Sequence, residues 1–164
     1  MSAHVITALV WFSALGSALI AGLFFAFSTF VMTALGRLEP AQGAAAMRTI
    51  NEVIVRSPFM PVFLGSTLTA LALAVWGAAN LGGPGGGRMA WPVLGAGVLY
   101  VLGMFGCTMV FNVPLNNALA RADAATAEGA ALWRRYVKTW TRWNHVRTVA
   151  STAACALYIV ALAR

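Results

Sequence analysis

The chain has 164 residues, 60% of them hydrophobic and only 9% charged, with a formal charge of +7. That balance excludes a disordered chain and argues against an ordinary water-soluble domain. It contains no CxxC, HExxH, GxGxxG, Walker or GxSxG signature, so the familiar metal, nucleotide and hydrolase motifs are absent.

Apolar runs decide the class. Residues 1–35 hold no charged side chain, and further charge-free intervals cover 57–87 and 89–120. Each exceeds the roughly 20 apolar residues that cross a bilayer. A fourth interval, 148–163, is shorter. The expected fold is all-α: a single integral membrane domain over 1–164, a four-transmembrane-helix bundle with spans near 5–32, 58–81, 91–113 and 145–163. Short interfacial amphipathic helices are expected in its two cytoplasmic loops. The first run lacks a basic start and is too long for a signal peptide, so it is expected to stay as an anchor.

In the first span Ala14, Ser17, Ala18, Ala21, Gly22 and Ser28 form a small or polar stripe, while Phe12, Leu19, Leu23, Phe27 and Phe30 fall opposite. Small residues let backbones approach, so the stripe is expected to face the bundle. In the loop that follows, Met47, Ile50 and Ile54 share one helical face, which fits an interfacial helix. Arg48 and Glu52 are spaced to pair on it. Asn51 is either a solvated or capping amide or part of a site. Ser57 and Pro58 read as cap and first position of the second span.

The third span ends with Thr108, Asn112 and Asn116 at intervals of four, which stacks them on one face. Pro114 lies among them and frees the Val110 carbonyl, so a kink or local unwinding of the helix is expected. The amides satisfy that break or line a polar pocket.

The charge-free part of the fourth span is 16 residues, 148–163. That is about 24 Å of helix against about 30 Å of hydrocarbon. Asn144, His145 and Arg147 are therefore expected at the membrane edge or within it, on one inward arc with Thr141, Thr148, Ser151, Thr152 and Cys155. Upstream, Trp133, Tyr136, Val137 and Trp140 continue the inward face. Arg134, Arg135, Lys138 and Arg142 gather on the other side as a stripe for lipid headgroups.

The loops after the first and third spans, with the start of the fourth, carry nine basic residues; Arg88 and Arg164 alone lie on the opposite side. That asymmetry puts those loops in the cytoplasm and both termini outside it, in the cell membrane. It also makes lipid, rather than nucleic acid, the expected partner of the positive charge. Cys107 and Cys155 lie in apolar runs and read as packing residues.

The stretches "GLFFAFSTFVM", "FNVPLNNAL" and "WTRWNHVRTVAS" resemble the anthrone-oxygenase-like family of small four-helix membrane proteins, in the same order and over nearly the whole chain. The resemblance implies a cofactor-independent oxidation of a flat apolar aromatic, such as an anthrone, by dioxygen. It carries Asn112, Pro114, Asn116, Trp140, Trp143, Asn144, His145 and Arg147 over as motif residues, and Asn51 and Pro58 more loosely.

Deprotonating an anthrone methylene gives a delocalised anion that reacts with dioxygen directly, so a base and an anion-stabilising group suffice. His145 and Arg147 are the expected catalytic pair, with Asn51, Asn112, Asn116, Trp140 and Asn144 binding the aromatic substrate. No cofactor and no metal is expected. The alternative is a non-catalytic membrane binding or transport module for a lipid-like or quinone-like ligand. A metal or haem centre on His145, Cys107 and Cys155 is disfavoured, because His145 and Cys155 stand about 15 Å apart along a helix. The sequence leaves the oligomeric state open.

Overall fold

Long uninterrupted apolar segments leave the backbone no partners in lipid but its own amides, so they fold as helices. A computed structural model of the chain describes residues 2–83 and 87–163. Four helices are long and apolar enough to cross a membrane: α1 (Ala3–Gly36), α3 (Phe59–Ala79), α4 (Gly87–Arg121) and α5 (Ala127–Leu162). A shorter helix, α2 (Pro40–Ile54), lies between the first two. Half of the "GGPGGG" turn, residues 84–86, and residues 1 and 164 lie outside the described residues.

The four long helices pack in a ring in the order α1, α3, α4, α5, and α2 leans on α5, α4 and the end of α1. Outward faces carry large apolar side chains such as Leu15, Leu19, Leu68, Leu102 and Val149, each more than 60% exposed. An exposed apolar surface of this extent suits acyl chains rather than water. One buried cluster, including Val10, Ile20, Leu73, Tyr100 and Tyr158, fills the ring towards the chain ends. A second, including Met32, Met47, Leu119, Trp133 and Trp140, fills it beneath α2.

Local signals set several helix ends. Pro40 begins α2 at a position where a missing N–H costs nothing. The Ser57 hydroxyl accepts from Phe59 N at 3.2 Å and donates to the Ile54 carbonyl at 2.8 Å, closing α2 and opening α3. Arg48 does not pair with Glu52; its Nη1 donates to the Ala122 carbonyl at 3.0 Å and ties α2 to the α4–α5 turn.

The fourth span differs from expectation. α5 runs 36 residues, from the Thr126 cap, whose Oγ1 accepts from Gly129 N at 3.0 Å. The separate second-loop helix expected from sequence is the first part of α5, because its charged residues interrupt the hydropathy and not the helix. Pro114 likewise does not end α4. π-Helical turns at Leu99–Gly106 and Thr108–Asn112 precede it, and Val113 N–H reaches the Thr108 carbonyl five residues back. Of the two expected disturbances, kink or local unwinding, these wider turns correspond to the second.

α3 and α4 approach closely through glycine. A Cβ on Gly97 would stand 2.5 Å from the Ala70 carbonyl and 2.8 Å from Ala74 Cβ, both rigidly placed. We expect Gly97→Ala to destabilise the bundle by about 2 kcal/mol through overpacking. A fall in the thermal unfolding midpoint in detergent, followed by tryptophan emission, checks this.

Candidate functional site

The inward strip of α5 follows helical spacing through Trp133, Tyr136, Trp140, Asn144, Arg147, Ser151 and Ala154, all buried. At about 100° per residue these lie within roughly 60° of Trp140, whereas His145 lies about 140° away. His145 is accordingly exposed and borders two outer hollows, one with Val146 and Val149 and one with Lys138 and Arg142. The inward arc expected from sequence was centred too far round, because it grouped residues by polarity. The helix is oriented by its large buried rings, Trp133, Tyr136, Trp140 and Tyr158. This corrects the expected placement of His145 on the same inward face as Arg147, at its opposite margin.

Asn144 is completely buried and joins α5 to α1. Its Nδ2 donates to the Phe24 carbonyl and to Ser28 Oγ, both at 2.7 Å. The Thr148 hydroxyl donates to the Asn144 carbonyl at 2.9 Å, and lies 3.0 Å from Ser28 Oγ. A carbonyl can only accept, so the single Thr148 proton is committed to it and Ser28 is the donor to Thr148. Ser28 belongs to a π-helical turn, Phe27–Val31, whose wider register leaves the neighbouring carbonyl accessible to the amide.

The Asn144 oxygen accepts from Arg147 Nη2 at 2.7 Å. Arg147, 4% exposed, also directs Nη1 towards Thr108 Oγ1 at 3.5 Å. Its guanidinium carbon sits 4.1 Å from the centre of the Phe24 ring and 4.8 Å from that of Trp140. Ring faces are negative and attract the cation. Arg147 Nε has no partner. Among the described residues no carboxylate approaches Arg147 as an ion pair, and no three His, Cys, Asp or Glu side chains gather as metal ligands.

Beside Arg147 lies a cavity of about 180 Å³, walled by Phe24, Phe27, Ile50, Phe59, Phe63 and Trp140 among others. It exceeds the roughly 150 Å³ that takes up benzene in an apolar interior. Its polar lining is confined to Asn51, Thr108, Asn116 and Arg147. Asn116 Oδ1 accepts from Tyr136 Oη at 2.8 Å and from Trp140 Nε1 at 2.9 Å. Two donors on one oxygen fix the amide orientation, so Asn116 offers only its NH₂ to the cavity.

The structure thus brings Asn51, Asn116, Trp140 and Arg147 to one cavity, with Asn144 behind holding Arg147. Asn112, 1% exposed, stands apart from the lining: its Nδ2 donates to the Trp140 carbonyl at 3.2 Å. Trp143 stacks outside on Phe111, ring centres 3.6 Å apart. Sequence reasoning missed Phe24 and put Phe27 on the lipid side. Phe27 is 9% exposed and packs on Trp140 at 5.6 Å. The three- and four-residue spacing that continues from Ile20 through Phe24 to Phe27 was the available signal.

A family model described as anthrone oxygenase matches residues 59–157, which takes in α3, α4 and most of α5. No curated protein and no solved structure matches the chain.

Proposed function

The chain belongs to the anthrone oxygenase family, and from that premise we propose that it oxidises a flat, enolisable aromatic ketone with dioxygen inside the Arg147 cavity. The observation that carries this reading is the buried guanidinium, which lacks a carboxylate partner and lines a mostly apolar cavity. A cation placed there favours an anion delocalised over rings, and Phe24, Phe27 and Trp140 supply ring-shaped walls for it.

The reaction balances without a further reagent. The substrate methylene loses one proton to give the enolate. The enolate carbon then forms a bond to dioxygen, the peroxide anion takes the first proton back, and the resulting hydroperoxide loses the second C–H proton together with its terminal OH as water. Carbon gives up four electrons and dioxygen accepts them, one oxygen leaving in the new carbonyl and one in water. Arg147 stabilises the first anion and the peroxide that follows. The Asn116 NH₂ binds the oxygen at the far side of the ring system. His145 does not border the cavity, so proton loss is assigned to water at the cavity mouth, driven by the nearby positive charge.

The end of the bundle that carries α2 is assigned to the cytoplasm of a cell membrane on the clustering of basic residues there, with the termini opposite.

The test is direct. Protein reconstituted in lipid vesicles and supplied with anthrone is expected to consume one dioxygen per anthraquinone formed, and His145→Ala to retain that rate within about twofold. Binding of anthrone with no dioxygen uptake would favour the non-catalytic module. A large loss in His145→Ala, with the fold intact, would return the base to that residue.

A further inference from the structure

α2 is a partition with three sides. At about 100° per residue, Met47, Ile50, Asn51 and Ile54 fall in one sector, Thr49 and Val53 in a second, and Arg48, Glu52 and Val55 in a third. The first sector lines the cavity. The second faces an apolar groove of about 520 Å³ between α1, α2 and the start of α3. The third faces a polar groove of about 260 Å³ between α2 and α4.

Both grooves abut the cavity. Leu23, Phe27, Ile50, Ile54 and Phe59 border the apolar groove and the cavity alike. Asn51, Val113 and Asn116 border the polar groove and the cavity alike. The apolar groove has only two polar side chains, Thr49 and Ser57, and both hydroxyls donate to carbonyls of α2. A passing apolar molecule would therefore strip no polar group of its partner. The polar groove carries Arg48, Glu52 and Asn117, which a molecule leaving hydrocarbon would have to desolvate.

We propose that the apolar groove is the entrance by which a bilayer-dissolved aromatic reaches the cavity, while the polar groove connects the cavity to water. This rests on the aromatic-ligand reading of the cavity given above. The side chains of Ile50 and Ile54 form the threshold, and Val53, 60% exposed, stands outside it. Apolar reactant is drawn from the membrane on one side of α2, and the water of the reaction leaves past Asn51 and Asn116 on the other, where the first proton is also passed out and taken back.

The probe is anthracene in proteoliposomes, its association and release followed by energy transfer from tryptophan. Val53→Trp narrows the apolar groove without touching the cavity, and Thr49→Trp does so one turn away. Each is expected to slow association and release together by about fivefold or more, with the equilibrium Kd changed by less than about twofold. Ala120→Trp, in the polar groove, is expected to leave both rates as they are. Unaltered rates in the Val53 and Thr49 variants, or a slowing confined to Ala120→Trp, overturns the route. Failure of the wild-type protein to bind anthracene at all would instead remove the aromatic cavity, and the route with it.

Discussion

Arg147→Met is expected to abolish anthraquinone formation, lowering kcat/KM by about 10² to 10³, the usual cost of removing a donor that stabilises a developing anion. The protein should remain folded, because methionine replaces a buried cation with an apolar chain of similar length. Exchanging buried charge for apolar packing is often neutral or stabilising. Arg147→Lys separates charge from geometry. Lysine keeps the cation but not the planar fork that reaches Asn144 and Thr108 together, so it should recover only part of the rate. The measurements are dioxygen uptake and the thermal midpoint of each variant. Full turnover in Arg147→Met would remove anion stabilisation from the mechanism.

Asn144→Leu is expected to be the more damaging change to stability, at about 3 kcal/mol. Hydrogen bonds between membrane helices average only about 0.6 kcal/mol each. The bonds to Phe24 and Ser28 therefore account for the smaller part. The larger part is the Arg147 guanidinium, left with its best-placed partner gone. That attribution has a specific consequence. The double variant Asn144→Leu, Arg147→Met carries no unpaired cation, so it should unfold at a higher temperature than Asn144→Leu alone, a coupling of at least about 1 kcal/mol. Simple additivity of the two changes would show that the helix contacts, and not the charge, set the cost.

The first three spans were legible because formal charge is sparse and the gaps between charges are long enough to cross a bilayer, and the fourth as a shorter gap that had to draw polar residues to the membrane edge. Their ends were less so. The stretch from Ala127 to Arg142 reads as a loop by hydropathy, yet its rings continue the inward strip of the last span. Asn144 and Arg147 were legible as inward-facing, since polar groups in an apolar helix must find internal partners, but not as partners of each other. His145 was misplaced on the margin of the inward face because polarity was taken as a guide to facing, whereas the bulky aromatic strip turns the helix. The cavity itself was not readable, since it needs Phe24 from α1 and Ile50 from α2, and no spacing within one segment reports how distant segments meet.

The π-helical turn at Phe27–Val31 has a consequence beyond the accessible carbonyl. Such a turn holds about one residue more than an α-turn. Deleting a single residue there would relax it to ordinary pitch while leaving the upstream span in register. Gain or loss of one residue at this point would change how α2 sits over the bundle, and chain-length variation within α1 among related sequences should concentrate there rather than upstream of it.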